Sequence, residues 1–315
     1  MSTISRVSAF APASMGNLGV GFDIMGLALR EPGDIACAER CDAPGAVLAA
    51  IEGEGGALPL DPAQNTATVA ANSVLRRIGA PGGVRITLHK RLPAGSGLGS
   101  SAASAVAAAV AVNALFGEPL SRAELLAPCM DGEAVASGGY HPDNVGPSLL
   151  GGITLITGAA SRATAHIRRL PVPPDMHLAL VTPAVVVPTA MARAVLPQAV
   201  TLRQMVAQTG AVARLVDALH RGDLATVAEA MESDSVIEPA RAHLMPLLAD
   251  ARAAARRAGA LAVVISGAGP TLCAVCDSQA AAQKVAAAMG ALYDDAGIGN
   301  TTRHTRVSEE GARLL

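Results

Sequence analysis

The stretch from Val84 to Phe116 limits what this chain can fold into more than any other. Val84, Ile86 and Leu88 alternate with Arg85, Thr87 and His89, the period of a half-buried strand. Ser101 to Phe116 is rich in alanine and valine and free of glycine and proline, which predicts a helix. Between them, Lys90-Arg91-Leu92-Pro93-Ala94-Gly95-Ser96-Gly97-Leu98-Gly99-Ser100-Ser101 must turn a strand into a helix within a few residues. Glycines at alternate positions permit a sharp turn and a close approach to a ligand. The helix behind them aims unpaired N–H groups and its positive dipole end at the same place. A phosphate is the natural guest.

The pattern is not a P-loop, which needs Gly-Lys-Ser/Thr where this chain has Gly99-Ser100-Ser101. Nor is it the dinucleotide fingerprint, whose third glycine would fall on Ser100. A turn chosen only for tight packing is the competing reading. The two serines weigh against it, because hydroxyls at a helix start can cap the helix and meet a phosphate or its metal.

Composition narrows the function class. A chain of 315 residues is long enough for two medium domains with real cores. With 24 basic and 26 acidic residues there is no polybasic field for nucleic acid or an anionic membrane, and 2% aromatic residues leave little for base stacking. Leu92 to Gly117 carries no charge, but its first third is Pro, Gly and Ser and the rest mostly Ala, too weakly apolar for a membrane span. Five cysteines without framework spacing, and no basic, apolar leader, fit a reducing cytoplasm. Cys273 and Cys276 lie on an expected strand, where side chains three apart face opposite ways, so they read as buried thiols.

Four further segments hold polar groups among turn residues. Met15-Gly16-Asn17-Leu18-Gly19-Val20-Gly21-Phe22-Asp23 is a glycine loop presenting Asn17 and Asp23. Asn65 is a fitting N-cap for a helix from Thr66 to Ile78 closed by Gly79 and Pro81, and Ser121 with Glu124 has capping-box spacing. Asp131 to Pro147 gathers Glu133, His141, Asp143 and Asn144 among glycines, a density of polar groups that a turn alone does not need, before strand character returns from Ser148 to Ile156. A zinc reading of His141 with Asp143 lacks a third ligand. Beyond a basic, Pro-rich connection at Gly158 to Pro174, helices are expected from Leu202 to His220 and Leu224 to Met231, with Arg221-Gly222-Asp223 as a stop and restart. Ala262 to Leu272 reads as strand, glycine turn, strand.

The string Pro93-Ala94-Gly95-Ser96-Gly97-Leu98-Gly99-Ser100-Ser101-Ala102-Ala103 resembles the second motif of the GHMP kinases, the small-molecule kinases named for galactokinase, homoserine kinase, mevalonate kinase and phosphomevalonate kinase. Ala11 to Asp23 is similar to the first motif of the homoserine kinases, with Gly16 for the usual alanine. Glu133 to Pro147 is similar to another of their strings, with Ala134 for glycine, and Ser266-Gly267-Ala268-Gly269-Pro270-Thr271 resembles the third superfamily motif. The resemblance implies an α+β, two-domain GHMP kinase fold with a left-handed βαβ unit at the phosphate loop. Residues 1–157 would bind ATP and residues 158–315 would complete the substrate site.

It also implies roles. Pro93, Gly95, Ser96, Gly97, Leu98, Gly99, Ser100 and Ser101 would hold the phosphates of ATP, with Asn65 and Lys90 flanking the nucleotide. Ser101 and Glu133 would bind Mg2+. Asn17 and Asp23 would meet the ammonium group of homoserine, and Arg193 and Arg241, in segments that match the family as Thr189-x-x-x-Arg193 and Glu238-Pro239-x-Arg241, its carboxylate. His141 would touch substrate and Asn144 would lie beside the transferred phosphoryl group; the alcohol proton would go either to the Asp143 carboxylate or, with the neutral Asn144 closest to the reaction, to the phosphate itself. The implied reaction is ATP-dependent phosphorylation of the homoserine side-chain hydroxyl, a step toward threonine, and a homodimer is common in the family. Mevalonate has no ammonium and would strand Asp23, an unpaired charge costing on the order of several kcal/mol if buried. The rivals are a kinase of the same superfamily acting on an isoprenoid precursor or a sugar, and a nucleotide-binding protein without turnover.

Overall fold

The computed structural model describes residues 5–53, 58–158 and 166–315. The chain opens on strands β1 (Arg6–Gly16), β2 (Met25–Cys41) and β3 (Gly45–Gly53), then helix α1 (Thr66–Ile78), β4 (Gly83–Lys90) and α2 (Ser100–Leu115). Helices α3 (Arg122–Ser137) and α4 (Pro142–Leu150) and strands β5 (Ile153–Thr157) and β6 (His166–Leu170) follow. The first sheet runs β1–β2–β4–β3, with β5 on β2 and β6 on β5. β3 and β4 are parallel, joined across α1; β4 lies antiparallel to β2, pairing His89 with Ile35.

Both ends of α1 fall where local chemistry sets them: the Asn65 side chain accepts from Ala67 N, and Gly79 closes the helix in the left-handed conformation. The expected capping box of Ser121 and Glu124 opens α3. α2 is the central helix, buried on every side except at Ser101. Its alanines are small enough to let α1 and α3 pack on it from one side and β1 and β2 from the other. Among the described residues no helix is long and apolar enough to cross a membrane.

The polar segment from Asp131 to Pro147 is mostly helical. Glu133 sits in the last turns of α3, and α4 begins at Pro142, whose fixed φ suits a first helical position. Only Gly138 to His141 separates the two helices, and the strand expected from Ser148 starts later, at Ile153.

The second sheet is β10–β7–β9–β8, all antiparallel: β7 (His177–Pro183), β8 (Ala262–Ile265), β9 (Leu272–Cys276) and β10 (Asn300–Arg306). Between β7 and β8 come α5 (Thr189–Ala194), α6 (Leu202–Arg221), α7 (Leu224–Met231), α8 (Ile237–Arg241) and α9 (Leu248–Ala258); α10 (Gln279–Asp295) precedes β10. Gly222 ends α6 and Asp223 caps α7, the stop and restart expected there. Cys273 packs into the main core and Cys276 into a smaller one under α9 and α10, so the two thiols leave β9 on opposite faces, both free and buried.

The division drawn at 157/158 is not where the sheets part. β6 pairs with β5 in the first sheet, and the last strand, β11 (Arg313–Leu314), returns to pair with β1. The sheets separate between Leu170 and His177, while residues 159–165 of the connection lie outside the described residues. The main core runs through both, joining Leu27 and Ile86 to Leu178, Val264 and Met231.

Candidate active site

Gly95, Gly97 and Gly99 all take positive φ, at 67, 80 and 61°. Gly97 has no alternative: a Cβ there would lie 2.4 Å from the Ser266 carbonyl oxygen and 2.8 Å from that of Gly269. The turn between β8 and β9 grips the loop at this point. Ser266 Oγ donates to Gly97 O at 2.7 Å, Thr271 Oγ1 to Ser96 O at 2.6 Å, and Ser14 N donates to Leu98 O at 3.1 Å. Three consecutive carbonyls are thereby fixed from behind. The N–H groups of residues 95–101 meet no acceptor among the described residues. Ser96 Oγ and Ser100 Oγ turn inward to the carbonyls of Pro93 and Leu92, so Ser101 is the hydroxyl left at the surface of the helix start.

Glu133 is buried near the C-terminus of α3, its Oε1 3.4 Å from Nδ1 of His141, the residue that precedes α4. Asp143 and Asn144 stand in the first turn of α4. Asn144 Nδ2 donates to Asp143 Oδ2 at 3.2 Å, and Ser14 Oγ donates to Asn144 Oδ1 at 3.2 Å. Gly16 is the floor beneath the pair: a Cβ there would stand 2.4 Å from Asp143 Oδ2. Asp143 Oδ1 is buried and has no hydrogen-bond partner among the described residues. Burial, then repulsion by Asp23, pushes the Asp143 carboxyl up to about 7; His141 and Arg193 pull it back and Glu133 adds to the rise.

Across from these, Arg193 of α5 grips Asp23 with two hydrogen bonds of 2.7 and 3.1 Å. Asn17 Oδ1 accepts from Asp23 N at 3.1 Å, and both residues hold positive φ. Arg241, buried at the end of α8, donates through Nε to Ala192 O and through a terminal nitrogen to Gly267 O. Burial, followed by the nearness of Arg193, lowers its pKa. The Phe22 ring lies under both guanidinium groups, 5.6 Å from Arg193 and 5.2 Å from Arg241. Thr189 opens α5 one turn before Arg193.

Gly267 joins the two groups of residues. Its carbonyl accepts from Asn17 Nδ2 at 2.9 Å and from Arg241, its N–H donates to Gly16 O, and its neighbour Ser266 holds the loop. Sequence reasoning missed Gly267, Ser14 and Phe22 as parts of the site; each lies inside a quoted motif, and its position there was the available signal.

Two residues expected at the nucleotide point elsewhere. Asn65 is 3% exposed, accepting from Ala67 N and donating to Pro59 O. Lys90 is also 3% exposed, and its ammonium donates to Asp34, Ser100 O and Ser104 Oγ, which uses all three of its hydrogens inside the protein.

Residues 65–152 match the GHMP kinases N terminal domain and residues 215–295 the GHMP kinases C terminal domain. Among curated proteins, homoserine kinase of Chloroherpeton thalassium is 39% identical over 325 residues, covering 99% of this chain and 100% of the relative. Homoserine kinase of Xanthomonas campestris pv. campestris is 40% identical over 312 residues, covering 99% and 95%. The crystal structure of homoserine kinase from Cytophaga hutchinsonii superposes with a TM-score of 0.94 at 38% identity, covering 100% of this chain and 99% of that one. A mevalonate kinase of L. major shares the fold alone, with a TM-score of 0.74 at 18% identity over 95% of each chain. A chain that matches both GHMP kinase domains and whose whole length aligns at this level with homoserine kinases belongs to the homoserine kinase family of the GHMP kinases.

Proposed function

We propose that the chain transfers the γ-phosphoryl group of ATP to the side-chain hydroxyl of L-homoserine, giving O-phospho-L-homoserine for threonine synthesis in a reducing cytoplasm. The observation that carries this is the run of unengaged N–H groups at 95–101, linked through Gly267 to the charges of Asp23, Arg193 and Arg241. Phosphoryl transfer asks the protein mainly for positioning and charge neutralisation. The loop amides and the α2 dipole supply both for the phosphates of ATP. Asp23 takes the ammonium of the amino acid and the two guanidinium groups its carboxylate, which leaves the side-chain hydroxyl pointing to Asp143 and Asn144. Asp143, with one buried oxygen unpartnered among the described residues and a pKa close to neutral, accepts the alcohol proton.

Among the described residues no three His, Cys, Asp or Glu side chains gather into a metal cage. A hard cation that takes most of its ligands from phosphate and water fits one buried carboxylate and one hydroxyl, Glu133 and Ser101. Bound Mg2+ would neutralise charge on the β- and γ-phosphates. Asn65 and Lys90 are left out of the nucleotide contacts, because their polar groups are used within the protein.

The test is ADP release with a panel of hydroxyl acceptors. Turnover should depend on L-homoserine and not on mevalonate or sugars. Arg193→Ala and Arg241→Ala should each raise KM for homoserine roughly tenfold to a hundredfold, the loss of a charge-assisted contact of about 1.5–3 kcal/mol, with KM for ATP little changed. Equal effects on both substrates would exclude carboxylate binding.

A further inference from the structure

Asp34 lies inside β2, fully buried, and belongs to none of the motifs quoted above. It stands beside Lys90 because it is the next position beyond the Ile35–His89 pair in the antiparallel ladder. Its Oδ1 accepts from Arg91 N at 3.0 Å and Leu92 N at 3.2 Å, where the chain enters the phosphate loop. Its Oδ2 accepts from Lys90 Nζ and, at 2.8 Å, from Ser104 Oγ. Lys90 in turn reaches the exit of the loop, donating to Ser100 O at 2.8 Å and to Ser104 Oγ at 3.0 Å. Ser100 Oγ closes the circuit by donating to Leu92 O at 3.0 Å.

From this geometry we infer that Asp34, with Lys90 and Ser104, is the positioning group of the phosphate loop. It fastens the entrance and the exit of the loop to one buried ion pair, so that the amides between them hold the curvature a polyphosphate needs before any nucleotide arrives. Gly95, Gly97 and Gly99 have no side chains to prefer one backbone conformation, so the restraint must come from outside the loop. A buried ion pair is a poor choice for stability alone, since an apolar pair of the same volume often does as well. What this pair supplies is an acceptor for two consecutive N–H groups and a donor for the first carbonyl of α2, placed back to back. Ordering the loop in advance lowers the entropy lost on binding.

The inference rests on residues 95–101 being the nucleotide loop, and the experiment keeps the two apart. In the full-length chain, KM for ATP and for homoserine, the inhibition constants of ADP and adenosine, and thermal stability are measured for Asp34→Asn and for the milder Ser104→Ala. Each variant should raise KM for ATP and the inhibition constant of ADP at least fivefold, with those for homoserine and adenosine within twofold. An equal loss for adenosine would place the effect at the base or in the fold as a whole and overturn the inference. So would unchanged ATP and ADP constants in a variant that merely melts earlier. Should Asp34→Asn not fold, Ser104→Ala decides alone. A parent protein that binds neither ATP nor ADP would overturn the nucleotide reading itself.

Discussion

At the scale of single residues, the site depends on a carboxyl group held where water does not reach it. Asp143 ionises near pH 7, while in the unfolded chain it would ionise close to 4. Between those values the folded protein keeps a proton that the unfolded chain releases, so stability from this group falls as pH rises through the window. Asp143→Asn should therefore melt at a higher temperature than the parent at pH 8 and gain nothing at pH 4. If Asp143 is the base, the same substitution should lower kcat about a hundredfold or more and remove the rise of kcat/KM across pH 7. A variant that keeps both its rate and that pH limb would return the proton to the phosphate. The residues gathered here were legible because they sit in short strings: Asn17 with Asp23, and His141 with Asp143 and Asn144, are neighbours in the chain before they are neighbours in space. Asp34 gave no such signal. Its role depends on which residue of β4 stands opposite, and that register is settled by the whole sheet.

Among the secondary-structure elements, those with local punctuation were readable and those without it were not. α1, α6 and α7 begin and end within a residue of where their caps and glycines put them. Punctuation did not single out the end of α3: glycines and polar residues crowd the sequence around Glu133, and a helix packed on α2 tolerates Gly132. The β8–β9 turn was recognisable as a motif, but its grip on Ser96 and Gly97 is a contact over more than 160 residues. That grip gives an element-scale prediction. In Gly97→Ala the new methyl would meet the Ser266 carbonyl, and φ of 80° is strained for alanine by about 1–2 kcal/mol. The loop should back away from the turn, raising KM for ATP at least tenfold; an unchanged KM would mean the turn does not shape the loop.

For the whole molecule, two sheets share one continuous core, and strands from the second half of the sequence complete the first sheet. A boundary drawn from composition could not anticipate β6 and β11, because strand pairing over long separations leaves no local mark. The Asp23–Arg193 pair has the same long reach, tying the turn after β1 to the helix after β7. Its consequence is a lock that turns only for a key cut on both edges: an amino acid brings one charge for each partner, whereas an acid without an amine parts the couple and leaves Asp23 alone. In the parent protein 4-hydroxybutyrate should therefore compete poorly with homoserine. In Asp23→Asn, where Arg193 is already single, it should compete several-fold better even as homoserine itself binds worse; loss of both together would mean the two charges never held each other in solution.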